Sequence, residues 1–436
     1  MQEVCDLINA GEHRHALVRL WHLARQVVQG GGTRLDAWYK LSCSDDDTKR
    51  IAKYFADGQP ALERSWLDTR PTDVITALDE RIAQNRTKVP HLRPITVDAV
   101  DYFLVSRHRR DSVEQTQPVR FANYMRHHHI FPRQLAPGVG AQVSELAQEF
   151  PGLHAQMRAI AQRDPGELTL GLGLFPGIGA FDWDETEVAK GRRTGFARGR
   201  AGEAALLDEA KAQIRQAEAE AVDILIFPEL TLPDGVLNAL RGWLLQRRQE
   251  GNPCKIALLV LGSFHRRCAN TDRNRTPLVS GEDGSLVAIH DKFSPATVDI
   301  RAASGNYKLT ERFTAGQFAL LLCTPVGNVS LAICKDCFDT YRGIWLDQLC
   351  PEWLLMPSLS DSVKDHLAVT RDLWNRHRCV SAVANQPIFS ERMNVPASVE
   401  SPHFGYVHAE SSALEASHFH TKDPALWIRT VKLPGA

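Results

Sequence analysis

Three short segments of this chain each carry one reactive side chain at the end of an apolar run. In NVSLAICKD the run closes at Ile333 and Cys334 follows it, at the carboxyl end of an expected strand. A thiol there becomes a useful nucleophile only with a base or a positive neighbour. VDILIFPELTLP delivers Glu229 at a second strand exit, where a carboxylate can take the thiol proton and later activate water. GSLVAIHDKFSP delivers Lys292 at a third, where an ammonium can stabilise the charge of a tetrahedral intermediate. The backbone N–H of Lys335, just past the thiol, is a candidate second donor. Each residue alone has a duller reading: a turn, a solvated lysine, a core cysteine. Their joint occurrence points to acyl transfer through a thioester.

Cys337 lies three residues after Cys334, so a redox pair or half of a zinc site competes with the nucleophile reading. A zinc site needs a second pair of ligands, and HRRC at 265–268 is too tight and isolated to supply it. The chain has 9 cysteines scattered over 436 residues, sparse for a disulfide framework, so most are expected to be small buried hydrophobes.

These side chains need a layered scaffold, and the texture after Gly166 provides one. LTLGLGLF, VDILIF and KIALLVLGSF read as strands, with helices expected over GEAALLDEAKAQIRQAEAEA and DGVLNALRGWLLQRRQ. The alternation implies an α/β domain over 166–436, with antiparallel pairing around SGEDGSLVAIHDKF. Residues 1–165 read as a mainly helical domain. Leu17, Leu20, Trp21, Ala24 and Val28 recur at helical spacing, as do Val74, Ile75, Leu78 and Ile82 behind a Thr72 or Asp73 cap. No long alternating strand pattern stands out there. RQLAPGVGAQ reads as a break and QRDPGE as a linker.

A net charge of −1 gives no global attraction to nucleic acid or anionic membrane. No apolar run approaches the ~20 residues of a membrane span, and MQEVCDLINAGEHRH lacks a signal-peptide plan, so a cytoplasmic location is expected. Two stretches are locally basic. The segment with Arg192, Arg193, Arg198 and Arg200 reads as a solvated loop, or more pointedly as a lid or anionic-substrate contact. The segment with His127, His128 and His129 cannot aim three consecutive imidazoles at one metal. It leaves open a basic face for nucleic acid or a protein partner.

With these residues in place the chain resembles the nitrilase superfamily of carbon–nitrogen hydrolases, which carry Glu, Lys and Cys in this order. ILIFPEL, GSLVAIHDKF and GNVSLAICKDCFD match its three motifs, and the pattern selects Cys334 over Cys337. ERFTAGQF resembles the stretch that brings a supporting glutamate, here Glu311. PEWLLMPSLS and RHRCVSAVANQP resemble the strands that end in Pro-Ser and in Ala384-Asn385. The resemblance implies an αββα sandwich over 166–436 and hydrolysis of a small amide or nitrile, amide ranked first. It implies no metal or cofactor, and a homodimer or larger assembly. The stretch after Asn385 departs from the family's Gly-Gly-Ser ending, and Lys335 stands where tyrosine is common. The alternative is a nitrilase-like sensing module in a larger assembly, such as a phage-defence system linked to a reverse transcriptase.

Overall fold

The computed structural model describes residues 1–39, 62, 64–84, 93–108, 125–175, 181–268, 271–302, 305–338, 344–360, 363–386, 405–409 and 426–433. The chain forms two compact units, Met1–Gln134 and Leu135–Pro434.

In the first unit the helices are α1 (Gln2–Asn9), α2 (His13–Arg25), α3 (Arg34–Tyr39), α4 (Arg64–Thr69) and α5 (Pro71–Gln84). Leu17, Leu20, Trp21 and Ala24 of α2 meet Val74, Ile75, Leu78 and Ile82 of α5 in one core. The helix ends differ from expectation. α2 stops at Arg25, where Gln26 turns extended, so Val28 lies outside it. α5 begins at Pro71, whose fixed φ suits a first helical turn, so Thr72 and Asp73 lie inside the helix. The region also holds a sheet that the sequence reading did not find: β1 (Ile95–Val97), β2 (Val100–Ser106) and β3 (His128–Pro132). Its strands are short, and the unbroken apolar run 102–105 in β2 masks a period of two. Buried Asp79 of α5 accepts from the His127 N–H and contacts His128 Nδ1, both at 2.8 Å. His128 is thereby a structural residue joining helix to sheet.

The second unit runs β4 (Gln134–Ala136), β5 (Val139–Glu145), α6 (Leu146–Glu149), α7 (Pro151–Ala161), β6 (Glu167–Gly173), β7 (Phe181–Ala189), β8 (Arg192–Arg200), α8 (Glu203–Ala219), β9 (Ile224–Ile226) and α9 (Asp234–Gln249). It continues with β10 (Leu258–Val260), β11 (Phe264–Cys268), β12 (Thr271–Ser280), β13 (Leu286–Asp291), β14 (Thr297–Ala302), β15 (Gly305–Glu311), β16 (Phe318–Thr324) and β17 (Gly327–Leu331). A 3-10 turn (Cys334–Cys337), α10 (Ile344–Leu349), β18 (Trp353–Leu359), α11 (Lys364–His377), β19 (Val380–Gln386), β20 (Gly405–His408) and β21 (Leu426–Lys432) complete it.

Two large sheets organise these strands. One has the order β11-β12-β10-β9-β6-β21, with β13 on β12; the other has the order β20-β19-β18-β17-β16-β5-β4. The two-residue period of a strand assigns its faces. Ile224 and Ile226 of β9 share a core with Leu170, Leu258, Leu331, Leu355 and Ala382, residues drawn from both sheets. Between them in sequence, Leu225 faces outward to Ile214 of α8 and Leu240 of α9. α11 packs on β19 and β20 at the far side of the second sheet. The layers are therefore helix, sheet, sheet, helix: the expected αββα sandwich.

Two expectations are corrected. Residues 135–165 belong to this unit and not to the N-terminal one, because β5 pairs in parallel with β16 and α7 places Leu153, Met157 and Ile160 in the inter-sheet core. The boundary falls at the RQLAPGVGAQ break instead of the QRDPGE linker. The basic segment around Arg192–Arg200 is a hairpin, β7 with β8, joined in a small sheet of order β14-β15-β8-β7. Cross-strand charge pairing supports it: Arg193 with Glu185 and Arg198 with Asp184. Charged residues concealed these strands from a hydrophobic reading.

Candidate active site

The three sequence-selected side chains come from strand ends, as expected. β9 is followed by Phe227 and Pro228, and Glu229 then forms a single parallel bridge to Ser263. Gly262 permits this approach. Its φ is +63°, and a Cβ there would sit 2.2 Å from the Pro228 carbonyl. Lys292 follows β13, its N–H on Asn274 O at 2.7 Å and its carbonyl accepting from Gly316 at 2.8 Å. Cys334 opens the 3-10 turn after β17 with φ +46°, a left-handed conformation uncommon for a residue with a side chain.

Lys292 Nζ donates to Glu229 Oε1 at 2.7 Å and to Glu311 Oε2 at 2.5 Å. All three are buried, and an ammonium has three N–H donors, so one remains for another acceptor. Asn274 Nδ2 lies 2.9 Å from both Glu229 Oε1 and Glu311 Oε1. His265 Nε2 is 3.0 Å from Glu311 Oε1, while His265 Nδ1 accepts from the Ala197 N–H at 2.8 Å. An accepting Nδ1 carries no proton, so His265 is the neutral tautomer that donates from Nε2.

Burial is the largest influence on Glu229 and pushes its carboxyl up to about 7; Lys292 opposes this and Glu311 adds to it. Burial also acts on Lys292, against its charge, but the two carboxylates outweigh it and hold the ammonium above the usual lysine range. Glu311 is buried as well, yet Lys292 and His265 hold it well below the usual carboxylate range. The two carboxylates thus separate, one a fixed anion and the other able to exchange a proton near neutrality.

The Leu359 peptide connects this cluster to the thiol. Its N–H donates to Glu229 Oε2 at 3.1 Å, and its carbonyl lies 3.9 Å from Cys334 Sγ. Burial, followed by the Glu229 charge, pushes the Cys334 thiol up to about 12, against Lys292 and a hydrogen bond from Ser358. The resting nucleophile is therefore a neutral thiol. Ser358 Oγ also contacts His366 Nε2 at 3.2 Å, and burial lowers His366 to about 3. Lys335 is the second residue of the turn, so its N–H belongs to the group that a helical turn leaves without an internal partner. Its side chain is drawn away to Pro295 O at 3.2 Å. Cys337 is buried and donates to Cys334 O at 3.2 Å, a packing contact.

Sequence reasoning passed over His265 and Asn274, and it used Ser358 and Asp336 only as motif positions, with no role for either side chain. Asp336 is fully buried. Its Oδ1 accepts from the Phe293 and Ser294 N–H groups at 2.8 and 2.9 Å, just after Lys292. Its Oδ2 accepts from the Ile333 N–H at 3.1 Å, just before Cys334, and lies 3.4 Å from His290 Nε2. One carboxylate therefore fixes the lysine loop against the cysteine turn. A polar residue two after the thiol was its only trace in sequence. Asn385 has a related task, exchanging two hydrogen bonds with the Ser360 backbone at 3.0 and 2.9 Å. Of the basic hairpin, Arg200 is buried, with Nη1 on Leu230 O and Thr231 O at 3.4 and 3.3 Å. It clamps the loop that leaves Glu229.

Among the described residues no group of three or more His, Cys, Asp or Glu could hold a metal ion, and no helix is long and apolar enough to cross a membrane. No protein-family model matches the chain, and no curated protein matches it. Solved structures do show similarity. A glutamine-dependent NAD+ synthetase from Acinetobacter baumannii is 18% identical with a TM-score of 0.39, over 61% of this chain and 45% of that one. An amidase from Nesterenkonia sp. AN1, with an acetamide moiety added covalently at its active-site cysteine, is 13% identical with a TM-score of 0.40 over 61% and 90%. The NitFhit protein of C. elegans is 14% identical with a TM-score of 0.39, over 61% of each chain. This chain thus spans less than half of the synthetase.

Proposed function

We propose that the second unit is a nitrilase-type hydrolase of non-peptide carbon–nitrogen bonds, with small amides as substrates and Cys334 as nucleophile. The observation that carries this reading is the single buried cluster at the strand ends. There Lys292 bridges Glu229 and Glu311, and one peptide group bridges Glu229 to the thiol.

The chemistry follows from the protonation states. Ionised Glu229 takes the proton as Cys334 Sγ attacks the amide carbon. The uncommitted N–H of Lys292 and the N–H of Lys335 supply donors for the developing oxyanion. Glu229 then passes its proton to the departing nitrogen, and a thioester remains on Cys334. Water deprotonated by Glu229 attacks the thioester and releases the acid and the thiol. Amides suit this route better than nitriles because the proton gathered in the first step is the one the leaving nitrogen needs. Glu311 stays ionised throughout and holds Lys292 in place.

The test is ammonia release from a panel of amides, nitriles and carbamoyl compounds by the native protein, Cys334→Ala and Cys337→Ala. Release that vanishes in Cys334→Ala and persists in Cys337→Ala is expected. No release from any compound, together with a Cys334 that resists small alkylating agents at every pH, would overturn the proposal.

A further inference from the structure

Away from this cluster, the second unit brings together another thiol, imidazole and carboxylate. Cys350 follows α10, and its N–H closes that helix on Leu346 O at 2.9 Å. Its φ of +43° turns the residue out of the helix. Cys350 Sγ lies 3.3 Å from Nδ1 of His377, the last residue of α11, and 3.0 Å from Asp347 O. The sulfur lies beside the ring, 4.0 Å from His377 Nε2, and Nε2 is itself 3.1 Å from Asp347 Oδ1. Cys350 and His377 are both partly exposed.

The contact with Asp347 decides where the ring's protons sit. Asp347 also pairs with Arg376, and although burial acts to raise its carboxyl, His377 and Arg376 outweigh this and hold it low. An ionised Asp347 accepts only, so His377 Nε2 carries a hydrogen, and one further proton resides on either Nδ1 or Cys350 Sγ. That proton chooses between a thiol beside neutral imidazole and a thiolate beside imidazolium. The carboxylate favours imidazolium, and so does the C-terminal end of the 14-residue α11. Burial works against the His377 charge, but Cys350 and Asp347 outweigh it and raise the ring to about 9. The other charges at this corner are Arg376, paired with Asp372 as well, and Arg378, whose guanidinium lies over Trp374.

β17, β18 and β19 run parallel. Cys334 and Ser358 sit at their carboxyl ends, whereas Cys350 and His377 precede their amino ends. The length of β18, at ~3.3 Å per residue, puts roughly 20 Å of strand between the two thiols. The sequence reading assigned Cys350 no role of its own, and the proposed hydrolysis does not use it.

We propose that Cys350, His377 and Asp347 form a second reactive-thiol site, a modification site that small hydroperoxides oxidise to a sulfenic acid. The Cys350 thiolate attacks one peroxide oxygen, an S–O bond forms and the O–O bond breaks. The departing hydroxide, or alkoxide from an organic hydroperoxide, takes the proton from His377 Nδ1 and leaves as water or alcohol. Sulfur loses two electrons and the peroxide gains them. A low-molecular-weight thiol then displaces water and caps the site as a mixed disulfide.

The full-length protein tests this directly through residue-resolved alkylation by iodoacetamide between pH 5 and 9. Cys350 is expected to follow a midpoint at or below about 7.5, the upper range of ion-paired thiolates. In His377→Gln it should follow an ordinary thiol near 8.5, so alkylation at pH 6 falls about tenfold or more. Asp347→Asn should move the midpoint the same way, and Cys334→Ala should leave it in place. After hydrogen peroxide, a dimedone adduct should appear on Cys350 in the native protein and in Cys334→Ala. A native Cys350 rate that climbs tenfold per pH unit up to about 8.5 would overturn the ion pair without any variant having to fold. An alkylation profile as expected, but no dimedone adduct, would overturn the peroxide assignment.

Discussion

Replacing Asp336 by Asn should loosen the unit without dismantling it. The buried carboxylate accepts from the Phe293, Ser294 and Ile333 N–H groups. An amide retains one oxygen for Phe293 and Ser294 but turns an NH2 group toward the Ile333 N–H and His290 Nε2. The loss is about one hydrogen bond to a charged acceptor, ~2–3 kcal/mol. A unit of about 300 residues unfolds with an entropy near 0.6 kcal/mol/K. Differential scanning calorimetry should therefore show its transition lowered by ~3–5 °C. Asp336→Ala removes all three acceptor contacts. At ~1.5–3 kcal/mol each the loss rivals the ~5–15 kcal/mol stability of a whole domain, and little soluble protein is expected. Because the carboxylate joins the lysine loop to the cysteine turn, the Asn variant should also lose turnover beyond its loss of stability. An Asn variant that melts and turns over as the native protein does would refute this latch.

Other outcomes follow from the same geometry. Turnover should fall as pH drops through about 7, since a raised Glu229 becomes protonated there and no longer accepts the thiol proton; a kcat/KM profile flat from pH 5 to 8 would contradict it. Glu311→Gln removes a like charge that raises Glu229, so the acid limb of that profile should move to lower pH while kcat drops with the loosened Lys292. In the first unit, Asp79→Ala deprives the His127 N–H and His128 of their buried acceptor, and urea unfolding of that unit should show a loss of ~2–4 kcal/mol.

What sequence made legible was whatever a periodic pattern or a strand exit carries. The faces of β9 follow from alternating Ile and Leu, α9 coincides with DGVLNALRGWLLQRRQ, and Glu229, Lys292 and Cys334 follow apolar runs, whereas Glu311 is marked only by the likeness of ERFTAGQF to a family stretch. The hidden part depends on contacts between distant segments. Asp336 acquires its role only because the segment 42 residues earlier folds against it. His265 lies in the tetrapeptide HRRC, which by residue type alone suggests a metal ligand, and its partners are Ala197 and Glu311. The β7–β8 hairpin is stabilised by cross-strand ion pairs that hydropathy scores as loop, and β5 is recognisable as a sheet member only from its pairing with β16.

That pairing has a practical consequence for anyone dissecting the chain. β16 runs FALLLCT, and β5 is its neighbour on the side away from β17. A fragment begun at Gly166 would strip off β4 and β5 and leave this leucine-rich strand as an open, apolar edge, a template for adding further copies strand by strand. Such a fragment should form inclusion bodies, whereas one begun near Arg133 keeps the edge covered and should remain dispersed in solution. The residues that protect the sandwich from self-association thus precede its first central strand, in a stretch whose texture sets it with the helical region.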